Sequence, residues 1–331
     1  MIVTVTPNPA LDITHELDRL IPGSVHRAHR VTERPGGKGL NVASVLAQLG
    51  EPVCALGFLG GLTGQRIADL ACRAPGIRAV ERHWVACPAE SRRTLIVVAE
   101  GEATVFNEPG RPAGAGAWQN LGARLAERVR PGDVVAFCGS VPPGTPAGSL
   151  AGLLQIVALG QARSVVDSSG RWLAEAARTG AGLLKPNHLE LAAIGGSPDP
   201  VVGARRLIRW GARAVAVSCD AKGMGLFLAD RPDRYWLASG PALSGNPTGA
   251  GDAAVAAWCR VLAAGQPLRD VAAAALRDAV ALSGAAVCSA EAGTFDPATY
   301  RRLIEVIEVT EVAARPSLAG VELPIVTGSA D

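Results

Sequence analysis

An α/β fold with a mostly parallel central sheet, helices on its faces and a small β-strand lid follows from three features of the sequence. Short apolar strands alternate with segments of helical spacing along most of the chain. Six successive strand ends carry polar or glycine residues, which is where open α/β sheets hold their ligands. Two longer stretches, 11–34 and 82–106, alternate at the strand period with no helix between them. These stretches are expected to form antiparallel strands outside the main sheet, as a lid or a dimerisation surface. Extra edge strands of the main sheet are the alternative.

In chain order, Ile2–Thr6 is a buried strand that ends at Pro7-Asn8-Pro9. Val42, Val45, Leu46 and Leu49 place a helix over 41–49, which Gly50 stops. Val53–Leu59 is the next strand and 64–72 the next helix. Beyond the second helix-free stretch, 118–129 reads as a helix and 133–138 as a strand. Then follow a helix at Ser149–Leu159, a strand at 164–167, a helix at 171–178 and a short strand at 182–185. Helices at 188–194 and 201–210 precede strands at Ala214–Ser218 and 225–229, and 235–237 closes a further strand. Helices over 268–288 and 297–313 come last, and 315–331 is expected to be a loose tail. With no internal repeat and no linker, 1–314 is expected to be one domain, its lid built from about 12–34 and 82–108.

Composition narrows the function classes. The chain has 331 residues, 48% of them hydrophobic, enough for a substantial core. A net charge of +2 with interspersed signs points to neither nucleic acid nor membrane. Met1–Thr6 lacks a basic n-region and runs into Pro7, so it reads as a strand and not a signal peptide. The apolar run 271–290 is interrupted by Arg277 and Asp278, which argues against a span. Seven cysteines are scattered, with no CxxC pair and no histidine cluster beside them in the sequence. That pattern suits a reducing, cytoplasmic location and argues against structural zinc. Of 32 basic residues only Lys38, Lys185 and Lys222 are lysines, each beside Gly or Pro, as if a compact ammonium were wanted there.

The stretch Gly249-Ala250-Gly251-Asp252 opens an Ala-rich segment free of Gly and Pro until Gly265, so a helix begins within it. Small residues at a helix start leave amides open to close approach, and that end of a helix favours an anion. Asp252 puts a carboxylate beside this cradle, the arrangement needed to take a proton from a hydroxyl attacking a phosphoryl group. An acidic residue in a first helical turn is also what the helix dipole alone favours. A second stretch, Pro35-Gly36-Gly37-Lys38-Gly39-Leu40-Asn41, combines close backbone approach with an amide suited to sugar hydroxyls. There is no G-x-x-x-x-G-K-[ST] and no G-x-G-x-x-G after a strand, so a bound phosphate falls to the Gly249–Gly251 turn.

Six motifs occur in a fixed order: Pro7-Asn8-Pro9-Ala10-Leu11-Asp12, Gly36 to Asn41, Gly139-Ser140-Val141-Pro142-Pro143-Gly144, Val166 to Gly170, Lys185-Pro186-Asn187-His188-Leu189-Glu190, and Gly249 to Asp252. Together they resemble the ribokinase-like PfkB carbohydrate kinases, in the branch of 1-phosphofructokinase and tagatose-6-phosphate kinase, over roughly residues 1–310. The resemblance implies a ribokinase-like three-layer sandwich and ATP- and Mg²⁺-dependent phosphorylation of a sugar hydroxyl, often by a dimer joined through the lid. It makes Asp252 the catalytic base and Gly249, Ala250 and Gly251 the anion hole. Asp12, Gly36, Gly37, Asn41 and Ser140 fall to the substrate. Lys185, Asn187, Ser218, Asp220 and Gly223 fall to the nucleotide beside Gly249 and Gly251. Glu190 and Asn187 organise Mg²⁺, largely through water.

A phosphosugar also requires cations. Ser91-Arg92-Arg93-Thr94 opens a lid strand, so one of the two arginines points into the cleft. By resemblance Arg92 is that substrate-phosphate ligand, with Lys38 a second charge. Three positions depart from the pattern. Thr94 stands where Asn often follows the Arg, and Asp220 where Gly is usual. Ser24 replaces the phosphate-contacting Lys of the 6-phosphofructokinase type, with His26 and Arg27 nearby. A ketohexose phosphate is the expected acceptor. A 6-phosphofructokinase, a neutral-sugar or nucleoside kinase of the same fold, or a non-catalytic sugar-phosphate binder are the alternatives.

Overall fold

The computed structural model describes residues 1–313. The chain opens with β1 (Ile2–Thr6), β2 (Ala10–Leu17), β3 (Arg30–Gly36), α1 (Lys38–Gln48), β4 (Val53–Leu59) and α2 (Gly61–Ala71). Next come β5 (Glu81–Ala86), β6 (Arg92–Ala99), β7 (Glu102–Asn107), α3 (Ala115–Arg128), β8 (Val134–Cys138), α4 (Ser149–Leu159), β9 (Arg163–Asp167) and α5 (Gly170–Arg178). The second half has β10 (Leu183–Leu184), α6 (His188–Gly195), α7 (Pro200–Trp210), β11 (Ala214–Ser218), β12 (Met224–Leu228) and β13 (Arg234–Ser239). It ends with α8 (Ala250–Ala263), α9 (Leu268–Val287), α10 (Pro297–Val306) and β14 (Glu308–Ala313).

Ten strands form one sheet in the order β14-β13-β12-β11-β10-β9-β8-β1-β4-β5, and four form a second in the order β3-β2-β6-β7. From β11 to β5 the large sheet is parallel, and β12, β13 and β14 extend it antiparallel. Parallel strands covered on both faces read as continuous apolar runs, as β4 and β8 do. Alternate residues feed opposite layers: Val134, Ala136 and Cys138 belong to the core beneath α1, α8 and α9, while Val135 and Phe137 belong to the core on the other face, beneath α3, α4, α5 and α7. Trp258 of α8 is fully buried in the first layer, and a Trp118–Trp172 stack anchors the second.

Two expectations are corrected. The second lid stretch does not start at residue 82: Glu81–Ala86 is the edge strand of the large sheet, parallel to β4. The lid strands proper are β2, β3, β6 and β7, and its central pair, β2 and β6, runs parallel instead of antiparallel. The last helix stops at Val306, and Glu308–Ala313 pairs antiparallel along the whole of β13. Its Val309, Thr310 and Val312 are β-branched, and on an open sheet edge they fit a pleated partner better than a further helical turn. Other boundaries move by a few residues; helix α1 begins at Lys38, inside the glycine run, and not at Asn41. The tail expected at 315–331 lies outside the described residues.

Candidate active site

Loops at the carboxyl ends of the parallel strands and one face of the small sheet enclose an open cleft of about 2170 Å³. Helix α8 enters it amino end first. Gly249, its N-cap, has φ 88°, and no side chain caps the amides behind it. A Cβ on Gly249 would come within 3.0 Å of the Ala292 backbone, so both conformation and space require glycine here. Asp252, in the first turn, is buried, and its Oδ2 accepts a 2.8 Å hydrogen bond from Asn41 Nδ2. Burial, reinforced by the nearby Asp167 carboxylate, pushes Asp252 up to about 7, while Lys38, Asn41 and Lys185 pull it back.

Asp167 ends β9 beneath this turn. Its Oδ1 accepts from Lys38 Nζ at 3.2 Å and lies 3.8 Å from Lys185 Nζ. Lys38 begins α1 and is held well above the usual ammonium range, chiefly by the Asp167 charge. Its Nζ also lies 4.0 Å from Glu190 Oε1. Lys222, the third lysine, sits in a 3₁₀ turn (Asp220–Lys222) and does not line the cleft.

Asn187 and Glu190 form a capping box on α6: Glu190 N donates to Asn187 Oδ1 at 2.8 Å, and Asn187 N to Glu190 Oε2 at 2.9 Å. Both side chains are therefore committed to the helix start. Asn187 Oδ1 accepts this bond with one of its two lone pairs. Glu190 keeps Oε1 in the cleft, a hard oxygen of the kind Mg²⁺ takes directly or through water.

The opposite wall is the root of the small sheet. Asp12 on β2 lies between Arg34 on β3 and Thr94 on β6 in the strand register. Burial raises Asp12 above the usual carboxylate range, against the pull of Thr94, Arg92 and Arg34. Arg92 lines the cleft and donates Nε to the Asn8 carbonyl at 3.0 Å, and Asn8 Nδ2 donates to Ser140 Oγ at 3.2 Å. Arg93 turns away toward Thr63. Gly36 does not line the cleft as expected; it packs behind Asp12, whose carboxylate a Cβ there would strike at 2.1 Å. Gly37, Lys38, Asn41, Ser140, Lys185, Asn187, Glu190, Ser218, Asp220 and Gly223 all face the one cleft with Gly249–Asp252. Asp220 has φ 49°, in the left-handed region that glycine occupies most easily.

Sequence reasoning missed Thr6, Asn8, Arg34 and the loop around Glu291. Arg34 pairs with Glu291 at 2.8 Å and donates to the Ala292 carbonyl at 3.2 Å, tying the small sheet to the loop behind the helix start. No local signal marks that contact, because Arg34 and Glu291 stand 257 positions apart in the chain. The cysteines also hold one surprise. Cys54 lies with Glu81 and His83 at the other end of the sheet, in a group of metal-ligand type. There Arg128 donates to His83 Nδ1 at 2.6 Å, so a guanidinium already sits on that group.

Comparison with known proteins gives the family and the fold. The sequence profile of the pfkB family carbohydrate kinases matches residues 7–299. The chain is 37% identical over 271 residues to the 1-phosphofructokinase of Xanthomonas campestris pv. campestris, covering 78% of this chain and 83% of that one. It is 30% identical over 196 residues to the tagatose-6-phosphate kinase of Staphylococcus epidermidis, covering 59% and 62% of the two chains. The crystal structure of phosphofructokinase-2 from Escherichia coli in complex with fructose-6-phosphate superposes with a TM-score of 0.81 at 27% identity, over 92% of this chain and 98% of that one. On these matches the chain belongs to the pfkB family of carbohydrate kinases, on a ribokinase-like α/β fold.

Proposed function

We propose that this protein transfers the terminal phosphoryl group of ATP to a hydroxyl of a ketohexose phosphate, with fructose 1-phosphate the preferred acceptor. The observation that carries the reading is a buried carboxylate, Asp252, in the first turn of an uncapped glycine-rich helix start that lines one cleft with the Arg92 guanidinium. The choice of acceptor leans on the likeness to the 1-phosphofructokinase of Xanthomonas campestris pv. campestris.

In this reading Arg92, with Ser140 beside it, takes the phosphate already on the sugar. Asp12 and Asn41 hold its hydroxyls, and Asn41 fixes the Asp252 carboxylate toward the attacking oxygen. Asp252 accepts the proton as the oxygen–phosphorus bond forms. The amides of the Gly249–Gly251 turn and the dipole of α8 take the negative charge on the equatorial oxygens. Ser218, Asp220 and Gly223 border the nucleotide, with the Lys185 ammonium toward its phosphates. Glu190 would hold Mg²⁺ through Oε1, and the ion when bound neutralises charge on the triphosphate. Asn187 contributes by fixing Glu190 through the capping box.

The small sheet works as a lid on a single catalytic domain in this proposal. Its cleft-side face turns apolar away from the root, at Ile96, Val98 and Val105, with Val105 46% exposed. A second lid laid over that face makes a homodimer. No helix among the described residues is long and apolar enough to cross a membrane, and the free cysteines fit action in the cytoplasm.

The deciding experiment is ADP release across a panel of fructose 1-phosphate, fructose 6-phosphate, tagatose 6-phosphate and unphosphorylated sugars. Turnover should be highest on fructose 1-phosphate and fall about 10²–10⁴-fold in Asp252→Asn. Wild-type-like turnover in that variant would remove Asp252 as base, and activity on plain sugars alone would remove the phosphosugar assignment.

A further inference from the structure

Two ammonium groups and two carboxylates meet at the floor of the cleft, and two of the four, Lys38 and Asp167, have no part in the mechanism above. Asp167 is 1% exposed and ends β9 near the middle of the large sheet. Its Oδ1 faces both Lys38 Nζ, at 3.2 Å, and Lys185 Nζ, at 3.8 Å, while its buried Oδ2 has no hydrogen-bond partner. Lys185 is 3% exposed, and its Nζ lies 3.4 Å from where a Cβ on Gly251 would stand, so that ammonium abuts the amide turn of α8. A buried ammonium is retained only beside an opposite charge. Asp252 cannot serve as that charge throughout, because the proposed reaction neutralises it by protonation.

We propose that Asp167 is a positioning residue for phosphoryl transfer: one fixed carboxylate holds the Lys38 and Lys185 ammonium groups against the helix start, aimed at the phosphoryl group as it passes. The proposal rests on the kinase reading of the same cleft. Its placement supports the role. Strand β9 is hydrogen-bonded on both sides, by β8 and β10, so its last residue is among the least movable points of the sheet. Lys38, in contrast, is 41% exposed on its side chain and reaches across open space, so it needs a tether to hold one geometry. The unpartnered Oδ2 is the cost of serving both lysines with one oxygen.

The test is steady-state kinetics with Mg-ATP and fructose 1-phosphate for Asp167→Asn, Lys185→Met and the double variant, with thermal midpoints alongside. The single Asp167→Asn change should lower kcat about 10²–10³-fold while the KM for the sugar phosphate moves less than about threefold. The double variant removes the pair as a neutral unit, which preserves the fold if Asp167→Asn alone unfolds it. Its kcat should lie below that of Lys185→Met by a clearly smaller factor than Asp167→Asn lies below wild type, since one of the two ammonium groups through which Asp167 acts is already gone and only Lys38 remains to be released. A kcat for Asp167→Asn within about twofold of wild type overturns the proposal, and so do multiplicative losses in the double variant. A raised Mg²⁺ requirement with kcat restored at saturating Mg²⁺ overturns it too, by making Asp167 a metal ligand. Failure of the kinase reading is distinguishable, because it would appear in wild type and Asp252→Asn whatever Asp167 does.

Discussion

The floor of the cleft and its lid are built on opposite principles. The floor is a set of charges set at strand ends and helix starts of a sheet covered on both faces: Asp167 is 1% exposed, Lys185 3% and Asp252 6%. The lid is a single four-stranded layer whose outer strand is exposed on both faces: the neighbours Val105 and Phe106, which point to opposite sides, are 46% and 55% exposed. A buried charge is held by its neighbours and feels every change among them, whereas an exposed strand face is free to meet a ligand or a second copy. The floor therefore suits bond making, and the lid suits selection.

That division predicts different kinetic signatures. On the lid side, Arg92→Ala should raise the KM for fructose 1-phosphate about 10–100-fold, the worth of a charge-assisted contact. The KM for ATP should stay within about twofold, and equal effects on both substrates would blur the distinction between floor and lid. A third region, remote from both, gives the contrast in stability. Arg260 of α8 donates to Asp278 of α9 at 2.7 and 2.8 Å, and Tyr300 of α10 donates to the same carboxylate at 2.5 Å. Asp278→Ala strands a partly buried guanidinium and should cost about 2–3 kcal/mol in urea unfolding, with both KM values unchanged. Changed KM values would mean that this network orients Asp252 from behind.

The pH dependence sharpens the picture of the floor. With Asp252 lifted to about 7, kcat/KM should rise roughly tenfold per pH unit in acid and level off above neutrality. Stability moves the other way. The folded state holds this proton more tightly than the unfolded chain, so stability falls as pH climbs from the ordinary carboxylate value of 3.8 through about 7. Asp252→Asn should recover up to about 4 kcal/mol at pH 8 and nothing at pH 3, readable from urea midpoints at the two pH values. The smallest effect is expected at the lid surface. If the proposed homodimer through the lid forms, Val105→Lys should shift it to monomer in sedimentation while leaving the thermal midpoint within about 2 °C.

Most of the floor was legible in the sequence because its parts sit next to one another in the chain. Gly249 to Asp252 and Lys185 to Glu190 are each contiguous, and the physics of a helix start assigns them a place before any coordinates exist. The two lysines that meet at Asp167 stood out by residue type alone, while Asp167 itself lay inside the Val166 to Gly170 motif with no role assigned to it. The lid was read less well, since pairing between β2 and β6 joins residues 82 positions apart in the register Ala10↔Arg92. Nothing local distinguishes a parallel partner from an antiparallel one, or tells that Glu81–Ala86 stays with the large sheet. The same blindness hid Arg34 from Glu291. At the carboxyl end Leu303, Ile304 and Ile307 keep helical spacing just past Val306, and the open edge of β13 decides in favour of a strand.

The ladder between β2 and β6 has a further consequence. Asp12 and Arg92 hang from adjacent rails of that ladder, two rungs apart, and each rail leaves the large sheet by a short link, from β1 through 7–9 and from β5 through 87–91. In the proposed mechanism Asp12 grips the sugar's hydroxyls and Arg92 its phosphate, so a tilt of the small sheet would carry both grips at fixed spacing. An acceptor taken up there would reach Asp252 already in pose, like a part delivered in its own jig.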